Sequence, residues 1–187
     1  MIFIVFISFI ITQRLFELVI AKRNEKWMKQ QGAKEFGRSH YLVMVSIHTL
    51  FFLFYIWEVL TFEKQLSFTW PILLPVFLLT QLGRIWAITS LGRYWNTKII
   101  VLPNAKIIKK GPYQFLKHPN YVIVTIEFII LPLLFQAYIT ACLFTFLNML
   151  ILSIRIPAEE KALKELTEYE SAFLDLKRFV PNFVKKV

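Results

Sequence analysis

Apolar and polar positions alternate along this chain in long blocks, not residue by residue. Five apolar blocks stand out, at about 1–21, 42–61, 70–91, 120–135 and 138–156. A helix rises about 1.5 Å per residue, so roughly 20 apolar residues span the ~30 Å hydrocarbon layer of a bilayer. The blocks predict an all-α integral membrane protein with five transmembrane helices, the last two a tight pair joined at Gln136-Ala137. A basic connection at 22–41, interrupted by Gly32 and Gly37, leaves room for only a short helix. The next link, 62–69, is a short turn.

Isolated polar residues interrupt the blocks. Arg14 and Glu17 lie three apart on one helical face, which predicts a mutual ion pair near the membrane boundary. His48 predicts a hydrogen bond to a neighbouring helix. Arg84 and Trp86 sit towards the end of the third block, where an arginine can snorkel and a tryptophan can anchor. Glu127 either faces the bundle interior or pairs with Arg84.

The connection 92–119 is longer and partly apolar. Ile99-Ile100-Val101-Leu102 and Ile107-Ile108 flank Pro103-Asn104-Ala105, which reads as a small hairpin or extended flap. Gly111-Pro112 and His118-Pro119-Asn120 then break regular structure, because proline lacks an amide donor and biases its predecessor away from helix. Between the breaks stand Tyr113, Lys117 and His118, followed by Tyr121 as the next helix opens. Beyond the fifth block, Pro157 is expected to end the span. An amphipathic helix should follow, since Ala162, Leu166, Tyr169, Phe173 and Leu176 repeat at spacings of four and three. Glu159 falls within about 40° of the centre of that stripe at ~100° per residue, whereas Glu160 points nearly opposite. Acids in a first turn complement the helix dipole, which suits Glu160. Glu159 is aimed at the apolar side and needs a partner, for which Arg155 is placed one turn earlier.

Composition supports the membrane reading. Of the 187 residues, 57% are hydrophobic, too many for an ordinary soluble domain, and the length fits one domain, 1–187. The net charge of +10 is confined to the connections, which fits an anionic membrane surface and argues against nucleic acid. Connections 22–41 and 92–119 carry six basic residues each and 155–187 carries seven, against Lys64 alone on the other side. The positive-inside rule then places the N-terminus outside and the C-terminus in the cytoplasm. The first block lacks a basic start and a small-residue cleavage site, so it reads as a retained span in the cell membrane. The topology brings the 92–119 connection and the tail, 157–187, to one cytoplasmic face, where His118 and Glu159 can meet. Cys142 is the single cysteine, and no metal-ligand spacing is present.

Gly111-Pro112-Tyr113, then His118-Pro119-Asn120-Tyr121, and later Arg155-x-x-x-Glu159-Glu160 resemble the isoprenylcysteine carboxyl methyltransferase family of integral membrane enzymes. The likeness covers roughly the last half of the chain. It implies methyl transfer from S-adenosylmethionine to an oxygen nucleophile. It also implies a cofactor segment, 92–121, in which Gly111, Pro112, Tyr113, His118, Pro119, Asn120 and Tyr121 bind the cofactor with Glu159. Arg155 resembles the family's basic residue at the reacting centre and, with Glu159, would carry the catalysis. Gln13 to Leu18, Asn24, Gly32-Ala33-x-Glu35, His40-Tyr41 and His48 resemble small bacterial members associated with O-methylation of long-chain alkylpyrones. The partners implied are a lipophilic acceptor drawn from the bilayer and the surrounding lipids. Two other readings remain: an NADPH-dependent sterol-type reductase, which shares His-Pro-Asn-Tyr, and a small transporter or channel subunit using Arg14, Glu17, His48, Arg84 and Glu127.

Overall fold

The structure, a computed structural model, describes residues 1–174 and 176–179. Its order is α1 (Ile2–Gln30), β1 (Lys34–Phe36), α2 (Arg38–Thr61), α3 (Trp70–Leu91), β2 (Ile99–Val101), α4 (Pro119–Leu134), α5 (Tyr138–Leu166) and α6 (Tyr169–Ala172). The chain is an all-α integral membrane protein. Four helices, α1, α2, α3 with its trailing turn, and α5, are long and apolar enough to cross a bilayer. The fifth, α4, has 16 residues and is shorter than a full crossing. Burial is inverted as a membrane requires: Phe16, Val43 and Leu79 are exposed, while Arg84, Glu127 and Asn148 are buried.

Four expectations change, and in addition His48 bonds within its own helix and not to a neighbour, its Nδ1 lying 2.8 Å from Met44 O. First, α1 continues through the basic stretch to Gln30, so 22–30 is helix and not a loose connection. Lys, Arg and Glu are good helix formers, and nothing before Gly32 interrupts them. Gly32, at φ +88°, then stops the helix: its N–H donates to Lys29 O and that of Ala33 to Met28 O. Arg14 and Glu17 form the expected ion pair at 2.8 Å, in the middle of this longer helix. Second, Ile99–Val101 does not fold back on Ile107-Ile108. It pairs antiparallel with Lys34–Phe36, with Glu35 opposite Ile100. Asn104, at φ +59°, turns the chain and donates its N–H to Leu166 O, so the segment is tied to α5.

Third, Pro157 lies inside α5, which runs on to Leu166. A proline forfeits one helical hydrogen bond, and here packing outweighs that loss. Ala162 and Leu163 of the extension pack with Ile99 and Val101. The amphipathic stripe is real but is split between this extension and α6, with Tyr169, Phe173 and Leu176 clustered under Ile107. The part of the predicted tail from 180 onward lies outside the described residues. Fourth, Arg84 does not snorkel. It is 4% exposed and paired with Glu127 and Glu17 inside the bundle.

α4 packs between α3 and α5, and α2 packs on α5. The joint at Gln136-Ala137 is tight as expected: Gln136 takes φ +56°, and Ala137 N–H donates to Pro132 O at 2.9 Å. At that end of the bundle Glu58 of α2 accepts from the Thr140 amide at 2.7 Å and the Thr140 hydroxyl at 2.6 Å. A carboxylate from a neighbouring helix thereby caps the first turn of α5.

Candidate active site

The opposite end of the bundle holds a cavity of about 580 Å³, lined by all five long helices, the 94–108 segment, the loop before α4, and α6. Its walls change character with depth. Tyr113, His118, Asn120, Tyr121, Arg155, Glu159 and Tyr169 line the outer part, while Leu15, Leu18, Val45, Phe52 and Ile56 line the part between α1 and α2. Leu15 and Val45 are also exposed, within apolar stretches of α1 and α2. The volume falls within the roughly 300–1,000 Å³ of small-molecule sites.

Arg155 is 3% exposed, yet its guanidinium is held from three sides. Nε donates to the Tyr121 hydroxyl at 2.9 Å, Nη2 donates to the Thr97 carbonyl, and the Tyr41 ring centroid lies 5.9 Å away. The Tyr121 hydroxyl in turn donates to Glu159 Oε2 at 2.5 Å. Thr97 is fixed because the segment before it is clamped to α1. Asn24 donates to Trp95 O at 2.7 Å and to Gly92 O at 3.1 Å, and Asn96 donates to Ala21 O at 3.1 Å. Arg155, Tyr121 and Glu159 therefore form one connected chain of charge and hydroxyl across the cavity wall.

His118 and Glu159 line the same cavity, but His118 is not bonded to Glu159. Its Nε2 lies 3.1 Å from Glu160 Oε1, and Arg178 closes on the same carboxylate at 2.9 and 2.5 Å. Glu160 is thus neither at a helix start nor pointing to solvent, because α5 does not begin at Pro157. Burial alone pushes its carboxyl up, but hydrogen bonds from His118 and Arg178 and their charges outweigh this and hold it at about 2. The tail is tied down further by Lys117 N–H, which donates to Lys177 O at 3.1 Å. Burial and the nearby Glu159 push the Tyr113 hydroxyl above its ordinary range. Burial, with Glu160 and Glu159, does the same at Tyr169. Both therefore stay protonated at neutral pH.

Of the residues singled out by sequence, Tyr113, His118, Asn120, Tyr121, Arg155 and Glu159 share the cavity. Gly111, Pro112 and Pro119 are not among its lining residues. Gly111 serves the backbone: at φ +59°, an added Cβ would meet Ser90 Oγ at 2.0 Å and Trp86 Nε1 at 2.9 Å. Only glycine lets the loop lie this close to α3. Pro119 occupies the first turn of α4, where its missing N–H is harmless. Sequence reasoning did not assign Thr97, Tyr41, Asn148 or Arg178. The Thr97 contact is a backbone carbonyl and carries no side-chain signal, and Arg178 stands outside any motif. Tyr41 belongs, with His40, to the stretch that resembles small bacterial members, but no role attaches to it there.

The outer wall fits the cofactor that the motifs imply. Tyrosine faces and the Glu159 carboxylate suit a sulfonium cation. Asn120 Oδ1 and the Tyr169 hydroxyl are buried with no partner among the described residues, as groups reserved for a ligand would be.

Residues 72–165 match the profile of the isoprenylcysteine carboxyl methyltransferase (ICMT) family. The chain is 51% identical over 159 residues to the uncharacterized protein YpbQ of Bacillus subtilis, covering 85% of this chain and 95% of that one. It is 30% identical over 158 residues to an uncharacterized protein of Haemophilus influenzae, covering 84% and 92%. The family is one of membrane methyltransferases that use S-adenosylmethionine. With half its length matched and six of its motif residues gathered on one cavity, this chain belongs to the isoprenylcysteine carboxyl methyltransferase family.

Proposed function

We propose that the protein moves a methyl group from S-adenosylmethionine to an oxygen of a lipophilic acceptor at the cytoplasmic membrane interface. The acceptor is a long-chain alkylpyrone or a similar enol, phenol or carboxylate lipid. The observation that carries this reading is the continuity of the cavity. One end holds Arg155, Tyr121 and Glu159; the other runs between α1 and α2 among exposed apolar residues. A water-soluble cofactor and a membrane-dissolved acceptor can therefore approach one another without either leaving its solvent. In this reading five crossings, with the N-terminus outside, put the polar end in the cytoplasm.

Glu159, Tyr121, His118, Asn120 and Tyr113 would hold the cofactor, with Gly111, Pro112 and Pro119 shaping the loop that carries them. When bound, the cofactor supplies an electrophilic methyl on a sulfonium. Glu159 offers the opposing charge, and Tyr121 keeps that carboxylate oriented. Arg155 Nη1 makes no hydrogen bond among the described residues, so its two N–H groups can grip the acceptor's oxygen. An acidic enol or a carboxylate is already an anion near neutral pH, so for these the site need not remove a proton. Alignment of oxygen, methyl and sulfur then dominates the rate. Purified protein given S-adenosylmethionine labelled in its methyl and a pentadecyl hydroxypyrone should place label in the organic extract. Glu159→Gln and His118→Ala should abolish this while the protein remains membrane-inserted. Wild-type turnover in both variants would contradict the assignment.

A further inference from the structure

Two turns below the Arg155 centre, the cavity carries a second set of polar groups that the methyl-transfer reading does not use. On α2, His48 follows Tyr41 by seven residues; on α5, Asn148 precedes Arg155 by seven. Seven residues are two helical turns, about 10 Å, and return to nearly the same face. α2 and α5 pack together and run in opposite directions, so His48 and Asn148 reach a common depth, and both line the cavity. Between the two levels the lining is apolar, with Met44, Val124 and Leu152. Beneath lie the paired charges of Arg14 and Glu127, 2.9 Å apart.

The hydrogen-bond network fixes what each group can still do. His48 Nδ1 is 2.8 Å from the Met44 carbonyl, which can only accept, so Nδ1 carries the proton. The ring stands edge-on to Phe128, with centroids 5.0 Å apart at 78°, which holds it in place. In the uncharged ring, Nε2 is left as a bare acceptor with no donor among the described residues. Thr125 spends its hydroxyl proton on Tyr121 O at 2.9 Å, so its oxygen must accept from Asn148 Nδ2 at 3.1 Å. That leaves Asn148 Oδ1 also without a donor. Both acceptors open on the cavity without a donor among the described residues, so a donor that enters it can meet them.

We infer that this level is a second binding station, at which His48 Nε2 accepts a hydrogen bond from a hydroxyl carried on the acceptor lipid about 10 Å from its methylated oxygen, with Asn148 completing the polar lining at the same depth. The spacing rests on the proposed function, which seats the reacting oxygen at Arg155. A plain hydrocarbon chain leaves both acceptors unmet; a chain hydroxyl satisfies one of them. His48 and Asn148 are thus specificity-determining and not catalytic, since they do not touch the reacting atoms.

The test compares 10-hydroxystearate with stearate as ligands of the detergent-purified protein, read by thermal stabilisation, with S-adenosylhomocysteine measured alongside. The hydroxylated chain should stabilise at about tenfold lower concentration, the scale of one buried hydrogen bond. His48→Phe, which keeps a ring against Phe128, should bring the two ligands to equal concentrations, and Asn148→Leu should narrow the gap. Equal shifts in the wild type, none for either included, or a preference that survives His48→Phe, would overturn the station. A hydroxyl preference without any S-adenosylhomocysteine shift would keep the station and remove the methyl-transfer reading instead.

Discussion

Tyr121, in the first turn of α4, donates its hydroxyl to Glu159 of α5 across 2.5 Å and accepts from Arg155 at the same oxygen. One phenol thus joins the residue proposed to face the cofactor to the residue proposed to face the acceptor. Removing the hydroxyl frees both without altering the ring. Tyr121→Phe should lower kcat/KM by about 10- to 100-fold, the scale of a hydrogen bond to a charged group. Steady-state methyl transfer in detergent checks this, and wild-type kinetics would show that the link is idle.

Glu160 gives a pH-dependent prediction. Its carboxyl sits at about 2 in the folded protein against an ordinary 4.5. A depressed acid adds stability that is complete above its ordinary value and is lost as pH falls through the folded value. The wild type should therefore melt above Glu160→Gln at pH 6, and the gap should shrink between pH 4.5 and 2. Thermal melts of both proteins across that range measure it; a constant gap would contradict the ion pair with Arg178 and His118.

Within the bundle, Glu127 accepts from Arg14, Arg84 and Gln81. Truncating one partner of a buried pair strands the other charges, at a typical cost of about 3–5 kcal/mol. Glu127→Ala should destabilise the protein on that scale, with a large drop in melting temperature. Glu127→Gln, which keeps hydrogen bonds but not charge, should fall between.

At the far end, Glu58→Ala should remove the cap on α5 and lower stability by about 1–3 kcal/mol. Because Glu58 lies at the opposite end of the bundle, S-adenosylhomocysteine affinity should not change. A titration of both proteins separates the two effects.

Much of this arrangement was legible in the chain. The blocks of apolar residues located every long helix, since hydrophobic length is set by the bilayer and needs no tertiary information. The motifs named six residues that share the cavity. What escaped has a common cause: tertiary packing overrode local signals. Pro157 reads as a helix end, yet α5 runs on and packs on β2; the basic stretch after Ala21 is the exception, since its own helix formers carry α1 on until Gly32 stops it. Ile99–Val101 reads as half of a local hairpin, but its partner, Lys34–Phe36, lies far back in the sequence. Glu160 looked like a dipole complement because its two partners, His118 and Arg178, come from distant segments.

The most direct measurement is ligand-dependent thermal stability of the detergent-purified protein with S-adenosylhomocysteine and, separately, NADPH. The account predicts a saturable rise in melting temperature with S-adenosylhomocysteine that Glu159→Gln abolishes, and no rise with NADPH. Stabilisation by NADPH alone, or a wild-type S-adenosylhomocysteine shift in Glu159→Gln, would contradict it.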